Sequence, residues 1–367
     1  MKKIHLNRVA AVSIILATAI LCLTAARFDP IRGVNTGVSA NEMAWQQITT
    51  NSEEEHLFMI GFFEGGIQTF TTIFMFKYGP FNRWGFYTLL HEDSKDKTIF
   101  VKGECPEKTT KPSRTNYDIT CGDASYSGNW PDYTLKIHDP ELTGDIKFHS
   151  IVPAFGVGKA FYSQDAVAEC IVYLPRAKTE ANLSFGGKSV KLAGEGYADH
   201  NHQSYPFTRQ GSVYYAVRAF PDPKTPPDEQ IYLNFSMQEI HKGYGGGNDS
   251  FMFAARKDKI LGVSRKLAIT PLEQVTDPDS GYKYVRRVSI KVDDPAISFT
   301  GIFTAAKTIE VMDIFKWLPA YARKLAATLF KRPVYFRFLG TVEGQLKTKE
   351  GNFIIRQRAT SEMNFTQ

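Results

Sequence analysis

The chain of 367 residues lacks most of the patterns that announce a chemistry. It has four cysteines and eight histidines, and none stands at a zinc-site spacing, so no metal is implied. No dinucleotide or phosphate loop is present. The stretch "GYGGGNDS" at 243–250 is rich in glycine, but no Lys-Ser/Thr follows it, and it reads as a hairpin loop. No cofactor follows from the sequence. Charge is also short: the formal excess of +6 owes half its size to Lys2, Lys3 and Arg8. No concentrated basic stripe remains, which sets nucleic-acid binding aside. Against these absences stand 43% hydrophobic and 13% aromatic residues, enough to bury a full core.

The N-terminus carries a topological signal. "MKKIHLNR" is a short basic region, and "VAAVSIILATAILCLTAA" at 9–26 is an uncharged apolar run ending in small residues. This is the pattern of a secretory signal cleaved after Ala26. The run also reaches the lower limit of a membrane span, so residues 1–26 read as a signal peptide or an N-terminal anchor. Either reading makes the protein exported, to the periplasm, the extracellular space or the secretory pathway. Cys105 and Cys121 bracket a polar stretch, and in an oxidising compartment they form a disulfide worth about 3 kcal/mol. Cys170, in "AVAECIVYL", reads as a buried core thiol.

Organisation along the chain is mostly β. "FFEGGIQTFTTIFMFKYG", "ECIVYLP", "SVYYAVRAF" and "QIYLNFSMQEI" are rich in aromatic and β-branched residues and carry no helix start signal. Val288, Ile290 and Val292 alternate with Ser289 and Lys291, the period of a half-buried antiparallel strand. Many short strands separated by Gly, Pro, Asp and Asn turns argue for closed barrels or sandwiches. One segment departs from this. Over 307–333, Val311, Ile314, Leu318, Ala322, Leu325 and Leu329 recur at helical spacing, and Pro319 would start a second helix. The segment predicts either a helix pair that plugs a barrel or a basic amphipathic helix on a membrane surface, with Trp317 and Phe330 at the interface.

The densest chemistry is "GEGYADHNHQSYPFTR" at 194–209. His200 and His202 are two apart and share a face if the stretch is a strand. Together with Asp199 they would bind zinc only with a further ligand from elsewhere. An Asp or His at the lip of an apolar barrel could act as an acid or base on a double bond. The same residues could equally satisfy loop backbone groups and orient a domain junction. The residues alone leave those last two readings open.

"GEGYADHN", then "SYPF", then "VYYAVRAF" resembles the central motif of a superfamily of tandem lipocalin-like proteins. It includes carotenoid 1,2-hydratases (hydroxyneurosporene synthases), kievitone hydratase, Diels-Alderase-type pericyclases and survival factor 1-like proteins. Gly194, Gly196, Tyr197, Asp199, His200 and Asn201 fit the motif, as does Arg218 on the following strand. "FKWLPAYARKLAATLFKRPVYFRF" is similar to a second stretch of the survival factor and pericyclase branches. The motif's Trp-Gly is His202-Gln203 here, and Ala216 stands near the place where the hydratase branch has an acid.

The resemblance implies an all-β chain of two lipocalin-like antiparallel barrels. After residues 1–26 it implies a linker over 27–54, one barrel over 55–210, and a second over 211–367 with a helical insertion at 307–333. Asp199 and His200 are the candidate catalytic pair, and Tyr197, Asn201, His202, Tyr215 and Arg218 line or support the site. The leading expectation is an exported or anchored protein that binds or carries an apolar small molecule such as a lipid or terpenoid, as survival factor 1-like proteins would. The alternative is a hydratase or isomerase using Asp199 or His200, and a third option is a solid-packed envelope module.

Overall fold

A computed structural model describes residues 27–28, 38–39, 42, 44–45 and 52–366, apart from 79–80, 106–109, 111, 114, 162–166, 205–212, 223–224, 227, 241–246, 318–322 and 325–331. The signal or anchor at 1–26 and most of the stretch 318–331 lie outside the described residues.

Strands dominate, in two antiparallel sheets. The first holds twelve strands. They are β1 (Arg27–Phe28), β2 (Ser52–Phe63), β3 (Ile67–Tyr78), β4 (Phe81–Glu92), β5 (Lys97–Glu104) and β6 (Tyr117–Cys121), followed by β7 (Ala124–Asn129), β8 (Asp132–His138), β9 (Leu142–Ser150), β10 (Phe155–Phe161), β11 (Val167–Phe185) and β12 (Lys188–Gln203). The second holds nine. They are β13 (Val213–Ala219), β14 (Ile231–Glu239), β15 (Asn248–Arg256), β16 (Lys259–Ser264), β17 (Leu267–Thr276), β18 (Lys283–Asp293), β19 (Ile297–Asp313), β20 (Pro333–Thr348) and β21 (Gly351–Thr366).

The first sheet runs β5-β4-β3-β2-β12-β11-β9-β8-β7-β6 and curls into a nearly closed lipocalin-like barrel. Its two ends are β5 and β6, and an unpaired strand edge is a liability that a closed barrel removes. Cys105, directly after β5, is bonded to Cys121 at the end of β6. The Cys105 amide also donates to the Trp84 carbonyl on β4 at 2.8 Å. The disulfide expected from the sequence is therefore the staple across the open seam.

Among the described residues, three apolar clusters form the core. One lies inside the first barrel (Leu57, Ile73, Leu135, Tyr173), and one inside the second (Val217, Phe235, Val288, Phe336). The third packs between them, with Ile60, Phe62, Phe70 and Tyr197 of the first sheet against Phe220, Tyr232 and Phe253 of the second. Phe62 stacks flat on Phe220, with ring centroids 4.8 Å apart. Polar contacts reinforce that junction. Arg176 forks onto Glu195 at 2.6 and 2.7 Å and also donates to Gln230 at 2.7 Å. Arg358 pairs with Asp93, and Lys307 pairs with Asp96. No helix among the described residues is long and apolar enough to cross a membrane.

Two expectations need correction. Residues 307–313 are not helical: β19 continues to Asp313, and a single 3-10 turn, Ile314–Trp317, follows. Thr308 pairs with Phe338 and Val311 with Phe336 on β20. The β-branched Thr308, Ile309 and Val311 suit that ladder better than the helical spacing suggested. The stretch 27–54 is also not wholly a linker, since Arg27 and Phe28 pair with Phe161 and Ala160 of β10, and β2 begins at Ser52.

Opening the Cys105–Cys121 bridge, which closes a loop with a sequence separation of 16, is expected to lower the unfolding free energy by about 3 kcal/mol. Urea unfolding with and without reductant measures it. An unchanged midpoint would mean that the seam closes without the bridge.

Candidate functional site

The motif 194–203 lies on β12, where residues 195–200 are all buried. A strand turns successive side chains to opposite faces, so continuous burial requires cover on both. Here one face looks into the first barrel and the other looks toward the second sheet. Ala198 belongs to the first barrel's interior, and Tyr197 to the cluster between the sheets. The two motif glycines serve close packing. A Cβ on Gly194 would meet the Phe62 carbonyl, and one on Gly196 would press on Thr179 and Phe148.

On the outer face, the Asp199 carboxylate accepts from Tyr197 Oη at 2.7 Å, from Asn201 Nδ2 at 2.6 Å and from Arg218 at 3.3 Å. Arg218 comes from β13, so this last contact crosses between the barrels. Its guanidinium also lies 3.2 Å from Glu362 on β21 and stacks over the rings of Phe58 and Tyr197, 4.8 and 4.7 Å from their centroids. Glu362 pairs directly with Arg337 on β20, and Arg337 stands opposite Glu310 on β19. Those two contacts are longer, 3.5 Å each. Charge thus alternates along one row, Glu310, Arg337, Glu362, Arg218, and ends on Asp199 of the other sheet. Burial pushes Glu310 above the ordinary carboxylate range, against the pull of Arg337.

A crevice of about 80 Å³ opens beside Asp199 between the sheets. Tyr197, Asn201, Tyr214, Arg218 and Arg265 line it together with Cys170 and Asp249. Cys170 sits half-buried in the crevice wall, packed against the apolar cluster between the sheets, and burial pushes its thiol up. Burial likewise pushes up the Tyr197 and Tyr214 hydroxyls.

The inner face carries a different set. His200 Nε2 lies 2.6 Å from Glu55, and His202 Nε2 lies 2.6 Å from Glu53. Both glutamates come from β2 and are buried. Trp45 stacks on His200, and the Tyr117 ring meets the same imidazole edge-on. Burial alone would lower the His202 pKa, but the hydrogen bond to Glu53 and the charges of Glu55 and Glu53 outweigh it. His202 therefore lies above the ordinary imidazole value.

The structure thus brings Tyr197, Asp199, Asn201 and Arg218 together at the crevice, with His202 reaching its rim from beside Glu53, and turns His200 away from it. Asp199 and His200 are not a pair. Tyr215 is also misplaced by the sequence reading: it packs inside the second barrel, and its neighbour Tyr214 lines the crevice. Glu53, Glu55, Glu310, Arg337 and Glu362 were missed. The one usable signal was the run Glu53–Glu54–Glu55 at the head of an apolar strand, where alternation forces a carboxylate inward. Among the described residues, no group of three His, Cys, Asp or Glu side chains is placed to hold a metal ion.

No family model and no curated protein matches the sequence. Solved structures do match the fold. The NE1406 protein of Nitrosomonas europaea, provisionally named AttH, superposes with a TM-score of 0.59 at 9% identity, over 92% of this chain and 98% of that one. CghA gives 0.59 at 13% identity, over 86% and 89%. Kievitone hydratase from Nectria haematococca gives 0.53 at 11% identity, over 93% and 99%. At such identities the likeness is one of fold. It supports the tandem lipocalin-like architecture along nearly the whole chain.

The raised His202 pKa fixes a pH dependence. A group whose folded pKa exceeds its unfolded value of about 6.5 adds stability that is complete below that value and is lost as pH rises through the folded one. Unfolding free energy is therefore expected to fall above about pH 6.5, and the His202→Gln protein should lack that component. Denaturant midpoints taken across that range in both proteins provide the check.

Proposed function

We propose that the protein is an isomerase or hydratase that acts on an activated double bond of an apolar molecule, with Asp199 as its acid–base group in the inter-barrel crevice. The observation that carries this reading is the Asp199 carboxylate itself. It is buried, held by three donors and turned toward a cavity whose other walls supply two arginines and two phenols. A carboxylate so held is oriented without being blocked, because its two oxygens offer about four acceptor sites.

One such group is sufficient. In an isomerisation, Asp199 takes the allylic proton, the double bond shifts, and the same proton returns to the far carbon. In a hydration, it takes a proton from water as the oxygen adds to one carbon, then delivers that proton to the other. Either route passes through developing negative charge, which Arg218 and Arg265 would offset in a site poor in water. The crevice holds only the reacting end of a substrate with a water or two, given about 10–15 Å³ of such space per water. The name kievitone hydratase says that this fold carries a hydratase in one relative, which is in keeping with the reading.

The carrier reading, an exported protein that transports a lipid, draws less support. The interior of the second barrel is filled by its own side chains, among them Phe235, Phe299, Phe336 and Phe338. Export and contact of 307–333 with a membrane surface remain proposals that stand apart from the crevice.

A panel of β,γ-unsaturated ketones and related activated alkenes, incubated with the protein and followed by NMR for migration or hydration of the double bond, tests the assignment. Asp199→Asn is expected to lower the rate by at least about 100-fold, with Tyr215→Phe close to the parent. Full activity in Asp199→Asn would overturn the role of Asp199.

A further inference from the structure

The interior of the first barrel contains buried donors that find no acceptor among the described residues. Tyr117 Oη, Trp45 Nε1 and Trp84 Nε1 are all sealed from solvent and lack a hydrogen-bond partner among the described residues. The Tyr126 and Tyr173 hydroxyls lie beside each other in the same interior. Folded proteins rarely leave such atoms unpaired, and each one calls for an explanation. Here the unpaired atoms share one neighbourhood. Trp45 stacks on Trp84 with centroids 5.2 Å apart and on His200 at 6.1 Å, Tyr117 meets His200 at 5.7 Å, and Tyr173 follows at 4.6 Å from Tyr117.

The chemistry of this set selects a ligand. Indole N–H groups donate and cannot accept, and the phenols beside them are held protonated by burial. The partner must therefore be an acceptor. It need not carry a charge: each buried glutamate nearby, Glu55 and Glu53, already has a histidine at 2.6 Å. The walls are flat rings, which favour a flat, conjugated molecule. Trp45 occupies the ring-sized space on His200, and of these rings it is the one that no barrel strand carries. It is the part of the cage that a ligand could replace.

We propose that the interior of the first barrel is a second binding site, separate from the Asp199 crevice, for a planar, uncharged, conjugated carbonyl compound. Its oxygen accepts from Tyr117 and the indole of Trp84, and its ring stacks on His200 in the place Trp45 now fills. The site does not depend on the reaction assigned to the crevice.

The test uses the full chain with 9-fluorenone as probe and fluorene, its hydrocarbon counterpart, as control. Tryptophan fluorescence quenching gives the affinity, and the carbonyl infrared stretch reports hydrogen bonding. The expected results are at least tenfold tighter binding of the ketone than of fluorene and a carbonyl stretch shifted to lower wavenumber. Trp45→Ala should bind the ketone at least tenfold tighter than the parent, and Tyr117→Phe at least fivefold weaker. Trp45→Leu replaces Trp45→Ala if the latter does not fold. Equal affinity for ketone and hydrocarbon, or no change with Tyr117→Phe, would overturn the proposal. So would absence of binding in a folded Trp45 variant. A parallel loss of ketone binding in Asp199→Asn would place the ketone in the crevice and overturn it as well.

Discussion

The Arg218 guanidinium is the interaction on which the arrangement of the molecule turns. It rises from the first strand of the second barrel, spans to Asp199 on the last strand of the first, and holds Glu362 on its own sheet. Phe58 and Tyr197 stack against it from the other side of the junction. A buried cation is tolerable only where charge and ring faces surround it. Here those partners belong to both barrels, so the barrels must approach in one orientation. Net stabilisation from such a pair is small, whereas removing one member costs about 3–5 kcal/mol because the other is left uncompensated. The row is therefore better understood as fixing geometry than as supplying strength. Arg337 repeats the device one strand pair away, over Phe70 and Phe58.

That constraint determines what β12 can do. With both faces covered, its alternation sends Asp199 outward to the crevice and His200 inward to the aromatic cage. Two adjacent residues thereby enter two chemical environments, one lined by charged groups, the other enclosed and ringed. A strand shared between two cores can serve two sites without either disturbing the other. The glycines at 194 and 196 permit this by letting β2 and β11 close on β12 without intervening side chains.

Much of the fold was legible in the sequence because β structure writes itself locally. Alternating Val288, Ile290 and Val292, the aromatic runs, and the polar loop between Cys105 and Cys121 each state their role within a few residues. Residues 307–313 misled for a physical reason. Val311, Ile314 and Leu318 fit a helix, but pairing with β20 over Val334–Leu339 decided the outcome, and no local pattern shows that ladder. The site was half legible. Tyr197, Asp199, Asn201, His202 and Arg218 line the crevice, while Tyr215 lost its place to Tyr214. Which neighbour faces a crevice is a matter of parity, and parity depends on register. The inward partners Glu53 and Glu55 lie about 145 residues from the histidines they meet, a distance in sequence that pattern reading cannot bridge.

The junction at Arg218 is tested most directly by a double-mutant cycle on unfolding free energy, using Asp199→Asn, Arg218→Met and the pair together. If Arg218 and Asp199 tie the barrels, the two changes will be coupled by about 1–3 kcal/mol, the double variant losing less than the sum of the singles. Losses that add to within about 0.5 kcal/mol would show the two residues acting independently and would contradict the assignment.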